Sequence, residues 1–168
     1  INKYYKYNLS KISPKAIILL DESHIFDFSF IYSQLSYEKS NMDVLDNTAY
    51  GLNSSMRYMM DSNNLHLGIS YIKTDSSYSK ESYKLFLSNY MPYENFNINF
   101  ISSFTMDQYE QSFTNRQDRI IDIALEFYSK PIKQTRYLYK IRYLSNDTDV
   151  QNLKYDKLIF SFGLEFNS

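Results

Sequence analysis

The sequence predicts an all-β chain, an antiparallel up-and-down transmembrane β-barrel with about eight to ten strands visible. Three observations carry this. Apolar and polar residues alternate almost throughout, most cleanly in Leu158-Ile159-Phe160-Ser161-Phe162-Gly163-Leu164-Glu165-Phe166. Alternation of that length marks strands with one apolar and one polar face. Several such segments reach ten residues or more, beyond the usual length of about five or six in soluble sheets and matched to the roughly nine to eleven that cross a bilayer at a tilt. The connections between them run short, long, short, long, which is how outer-membrane meanders are built. A soluble sandwich has Greek-key crossings instead.

The elements follow in order. Strands are expected over 3–11, 15–20, 24–37, 47–60, 65–73, 81–90, 96–106, 118–129, 135–145 and 155–166. Short turns fall at 21–23, 61–64, 91–95 and 130–134, and long loops at 38–46, 74–80, 107–117 and 146–154. Composition agrees: Tyr is 18 and Phe 12 in 168 residues, while Ala, the best helix former, is 3. Gly is also only 3, low for a barrel. No linker or repeat divides the chain, so 1–168 reads as one domain. It begins at Ile1, with neither initiator Met nor signal peptide, and reads as a mature product or the C-terminal part of something longer.

Several function classes are excluded. With no Cys there are no disulfides, thiolate zinc sites or cysteine nucleophiles. The formal charge of −1 speaks against a general nucleic-acid binder. The longest apolar run, Ala16–Leu20, is far too short for a membrane helix. Only His24 and His66 exist, so sites built on several His are ruled out. His66 and Ser70 share a strand face, but four residues along a strand is about 13 Å, too far for a general-base hydrogen bond. No catalytic residue, metal ligand or cofactor is expected.

The apolar face carries Phe26, Phe28, Phe30, Tyr32, Leu65, Leu67, Ile69, Tyr71, Ile121, Ile123, Leu125 and Phe127, continued by the last strand. The opposite face holds Asp27, Arg57, His66, Lys84, Asn97, Asn99, Asp122, Glu126, Arg136, Lys140, Arg142 and Glu165. A membrane barrel turns the charged face inward to a lumen and a soluble barrel turns it outward. Alternation is the same in both. Strand length, the final aromatic and Tyr near strand ends (Tyr37, Tyr58, Tyr71, Tyr90, Tyr93, Tyr128, Tyr143, Tyr155) favour the membrane arrangement. The charges of that face read as a structural or gating network, in which antiparallel pairing brings Glu126 to Lys140 and Arg136 to Glu165. Acidic residues at 43, 46, 75, 107, 110, 147 and 149 read as solvated loops, with divalent-cation bridging of lipopolysaccharide as the functional alternative.

The closing segment Tyr155–Phe166 resembles the C-terminal assembly signal of bacterial outer-membrane proteins, with Tyr155, Phe160, Phe162, Leu164 and Phe166 in the alternating positions. The wider stretch 115–166 is similar to the barrel ends of surface lipoprotein assembly modifiers and of export proteins that carry helical repeats before the barrel. Its marks are Asn115-Arg116-Gln117-Asp118-Arg119, a Tyr-x-Tyr strand and Tyr155-Asp156-Lys157. The resemblance implies a non-enzymatic anchor or small conduit in a Gram-negative outer membrane. Its partners would be lipid, lipopolysaccharide and the barrel-assembly machinery. A soluble lipocalin-like barrel with an apolar ligand, and a barrel enzyme acting on lipid, are the alternatives.

Overall fold

Alternating β-branched and aromatic residues favour extended backbone, and ten strands form where the alternation runs. A computed structural model describes residues 7–37, 46–75, 79–110, 115–130 and 135–166, leaving out the side chains of Tyr7, Tyr37 and Phe166. The strands are β1 (Tyr7–Ile12), β2 (Lys15–Leu19), β3 (His24–Tyr37), β4 (Asn47–Met60), β5 (Asn63–Asp75), β6 (Ser79–Pro92), β7 (Phe96–Glu110), β8 (Asn115–Ser129), β9 (Thr135–Thr148) and β10 (Tyr155–Phe166). They make one antiparallel sheet in the order β1-β3-β4-β5-β6-β7-β8-β9-β10, with β2 also on β3. Among the described residues no helix is long and apolar enough to cross a membrane.

β1 and β2 are two halves of one edge. Ile12 stands opposite Tyr32 and Lys15 opposite Ser29, so the register runs unbroken past Ser13 and Pro14. Pro14 has no N–H to give, but its carbonyl still accepts from the Phe30 N–H at 3.1 Å. An edge strand is where such a residue is tolerated. The expected strand 15–20 therefore continues the edge begun by β1, and residues 3–6 of the expected strand 3–11 lie outside the described residues.

Two connections fall where short turns were expected, at 21–23 and, tightened from 61–64, at 61–62. Asp61 and Ser62 join β4 to β5 as a two-residue hairpin, with Met60 opposite Asn63. Asp61 takes the left-handed backbone (φ 41°) that this turn demands. Before β3, the Asp21 carboxylate accepts from the backbone N–H groups of Ser23 and His24 at 2.7 and 2.8 Å and contacts His24 Nδ1 at 2.9 Å. These donors hold its carboxyl below the usual carboxylate range, the His24 ring most of all.

The regular alternation of loop lengths does not survive. Strands reach Asp75, Ser79, Glu110 and Asn115, leaving only 76–78 and 111–114 where longer loops were expected. Asp75, Asp107, Glu110 and Asp147, expected in loops, continue the ladder instead, each opposite a residue of a neighbouring strand, whereas Asp46 and Asp149 lie outside the strands. Position 43 lies outside the described residues. The opposite connections stay short, and 38–46 and 149–154 remain the long ones.

Pairing sorts every strand residue onto one of two faces. The nine buried residues among those described, Asp27, Gly51, Gly68, Asp107, Asp118, Ala124, Glu126, Asn146 and Thr148, all lie on the polar face. Ala124 is the single buried apolar side chain among them. A one-layer sheet shelters one face over the other by curling toward it. Gly68 sits where that curl brings neighbours close: a Cβ there would stand 2.6 Å from the Ser55 Cβ and 2.7 Å from the Ser54 carbonyl oxygen. The sheet is not closed, since β10 and the β1–β2 edge do not pair with each other.

Candidate functional site

The polar face gathers the ionisable residues of neighbouring strands at hydrogen-bond range. On β2, β3 and β4, Asp27 lies between Lys15 Nζ at 2.7 Å and Arg57, whose Nη2 donates at 2.8 Å. Asp27 is 6 % exposed. A carboxylate so sheltered needs this pairing, because an isolated charge is costly away from water. On β7, β8 and β9, Glu126 accepts from Lys140 at 2.7 Å, Tyr128 at 2.7 Å and Asn99 at 3.0 Å. Both Asn99 and Lys140 stand directly opposite it in register. Arg142 meets Asp122 with two parallel bonds of 2.8 and 2.6 Å, the planar fork geometry suited to a carboxylate.

The expected contacts Glu126–Lys140 and Arg136–Glu165 are both formed, the second longer, at 3.5 Å, and well exposed. Lys84 lies on the same face, with no ion pair among the described residues. A third cluster went unread in the sequence. Lys80 pairs with Asp107 at 2.7 Å, Arg116 binds Asp118 at 2.6 and 2.9 Å, and the Tyr109 ring lies between Lys80 and Arg116, 5.3 and 4.1 Å from the two cations. Period-two alternation through Asp107, Tyr109, Arg116 and Asp118 was the available signal, masked by reading charge as loop.

His66 faces the same side and packs edge-on against Phe86 at 5.0 Å. Its Nε2 is buried with no hydrogen-bond partner among the described residues, and Ser70 does not reach it. Among the described residues no group of three or more His, Cys, Asp or Glu could hold a metal ion. What this face does chemically is neutralise itself: Asp27, Asp107 and Glu126 are matched by cations on adjacent strands, and Asp118 by Arg116 on its own strand.

The other face is apolar and open. Phe28, Leu52, Ile69, Leu85, Phe104, Ile123, Ile141, Phe160 and Phe162 are all exposed. Phe28, Leu52, Ile69, Leu85 and Phe104 line a hollow of about 490 Å³ on it. Its charges are confined to the end bearing the connections 38–46 and 76–78, where Lys73 meets Glu81 at 3.2 Å and Lys154 meets Asp147 at 2.9 Å. Just inside them lie tyrosines: Tyr32 opposite Tyr50, then Tyr71 and Tyr83 with rings 5.0 Å apart, then Tyr143. The expected Tyr set is thus corrected. Tyr71 and Tyr143 belong to this row, whereas Tyr90, Tyr128 and Tyr155 are on the polar face and Tyr32, Tyr50 and Tyr83 replace them.

β10 pairs with β9 along its whole length, from Tyr155 opposite Asn146 to Phe166 opposite Thr135. Phe160, Phe162 and Leu164 point to the apolar face, 69, 59 and 48 % exposed. Phe162 lies 5.1 Å from the Tyr139 ring.

Fold and faces define a class: a curled, single-layer antiparallel meander, polar where sheltered and apolar where exposed. The chain matches no family model and no curated protein.

Proposed function

We propose that this sheet is the wall of a bacterial outer-membrane β-barrel, with lipid against the apolar face and the paired charges lining the inside. The observation that carries the reading is the inversion of the faces. Contiguous apolar surface on this scale is a liability in water, and a soluble barrel with an apolar ligand would need it indoors. Strand length supports the reading too: β4, β5 and β6 run 14, 13 and 14 residues, enough for the roughly nine to eleven that cross a bilayer at a tilt. The Tyr row then falls at the headgroup level, where aromatic girdles sit.

The role is non-enzymatic, as membrane anchor or small conduit in a Gram-negative envelope. Mutual neutralisation of the inner charges favours structural filling over a selective filter, since a filter presents unmatched charge to its ion. Lipopolysaccharide and the assembly machinery are the proposed partners, the latter reading β10.

Lipid contact tests this. Spin-labelled or brominated lipid should perturb probes at positions 123, 160 and 162 and spare one at position 103 on the polar face. A protein that stays monodisperse without detergent, with all four positions shielded from lipid, would defeat the proposal.

A further inference from the structure

Strand direction constrains how this wall can close. β1–β2 runs from the end bearing loop 38–46 toward the end bearing the Asp21 turn, because Tyr7 lies opposite Tyr37 and Leu19 opposite Ile25. Each later strand reverses its predecessor. Counting β1–β2 as one, there are nine rows, so β10 runs the same way as β1–β2. Bringing these two edges together directly would make a parallel pair in a sheet that is otherwise antiparallel. The edge-to-edge closure expected of the last strand is thus not available in the usual sense.

Both edges are nevertheless open to a neighbour. Ile17, Ile18 and Leu19 are exposed by 50 to 72 %, and Leu158 and Phe160 by 60 and 69 %. Leu19 and Ile17 lie on the polar face and Ile18 on the apolar one, so past Lys15 β2 is apolar on both sides, the pattern of a strand flanked by other chain. In hydrocarbon, backbone N–H and C=O groups along such edges must be paired.

Resting on the membrane reading, we propose that β10 and β1–β2 receive a further strand, or an odd number of them, from a polypeptide segment outside residues 1–168. The segment runs opposite to β10, spans about nine residues or more and alternates apolar with polar. On the polar face an acidic residue would suit it opposite Lys11 or Lys157. The chain's own undescribed runs are shorter than a span, the longest being 38–45. A second copy fails on direction: copies inserted the same way, related by an axis along the membrane normal, again meet in parallel.

Cysteine pairs test this cleanly, as the chain has no Cys. Gly163→Cys with Leu138→Cys reports that β9 and β10 are formed, because a Cβ at Gly163 would lie 3.8 Å from the Leu138 Cβ, the usual spacing of a disulfide. In lipid vesicles this pair should close. Ser161→Cys combined in turn with Leu9→Cys, Ser13→Cys or Ile17→Cys should not. A synthetic Thr135–Thr148 peptide carrying Leu138→Cys, which has the required direction when added beside β10, should label Gly163→Cys in the full chain. Intramolecular linkage of Ser161→Cys to the first edge would show parallel self-closure, linkage between copies would show a dimer, and failure of the peptide to label would show an edge that accepts no strand. Each overturns the inference while leaving lipid contact intact. Absence of lipid contact would remove the membrane reading itself, and the inference with it.

Discussion

Replacing Glu126 by Ala should destabilise the sheet more than any change at its exposed ion pairs. Glu126 is 7 % exposed and accepts three hydrogen bonds, from Lys140, Tyr128 and Asn99. Removing one member of a buried pair costs about 3–5 kcal/mol, because the partner's charge is left uncompensated. The Lys140 side chain keeps 30 % of its exposure and can turn to water, which places the expected loss near the lower figure, about 3 kcal/mol. Glu126→Gln keeps volume and an acceptor and should cost about 1–2 kcal/mol. Glu165→Ala is the control. Its contact with Arg136 is 3.5 Å between side chains 59 and 34 % exposed, so about 0–1 kcal/mol is expected. The assay is urea unfolding of vesicle-inserted protein, followed by far-UV circular dichroism since Trp is absent, with a double-mutant cycle over Glu126 and Lys140. Equal losses for Glu126→Ala and Glu165→Ala would refute the reasoning. So would a Glu126–Lys140 coupling no larger than that of Arg136 with Glu165.

Gly51→Ala should cost about 1–3 kcal/mol, since its Cβ would run into the Tyr71 carbonyl oxygen of the neighbouring strand. Gly163→Ala, with only Leu138 at 3.8 Å, should change stability by less than about 0.5 kcal/mol; comparable unfolding midpoints for the two would contradict this. The Asp21 turn should hold above the ordinary carboxylate range and loosen as pH falls through the depressed carboxyl pKa, because a lowered pKa favours the folded form only while the group is ionised. Amide exchange of Ser23 should accelerate over that acidic interval in the wild type and be pH-insensitive there, beyond intrinsic exchange, in Asp21→Ala. Cysteines at Asn95 and Val150 lie at opposite ends of the sheet. With the short turns on the periplasmic side and the end bearing 38–46 and 149–154 outside, an impermeant reagent on intact cells should label position 150 and spare 95, and the reverse pattern would invert this orientation.

Much of the sheet is legible in the alternation. The bounds of β3, β4 and β10 follow from it to the residue, and the partition of Asp27, Arg57, Asp122, Glu126, Lys140 and Arg142 from the apolar positions follows too. The contact Glu126–Lys140 was within reach because β8 and β9 are joined by a short connection, so local turn position sets the register, and Arg136–Glu165 because β9 and β10 are consecutive strands with clean alternation. Lys80–Asp107 and Arg116–Asp118 were not, because charge at a strand end has the same composition as charge in a loop. Only backbone pairing with the next strand distinguishes them.

By itself the sequence determined that this chain alternates, that it forms strands and which residues share a face. Tertiary structure decided which face is sheltered, that β1 and β2 are one interrupted edge, and that the first and last rows run the same way. The reason is symmetry. A period of two is unchanged when the faces are exchanged, so nothing local says toward which side the sheet curls. Strand direction likewise depends on how many reversals intervene, and Pro14 removes one by continuing the register of β1 into β2 where a turn would have reversed the chain.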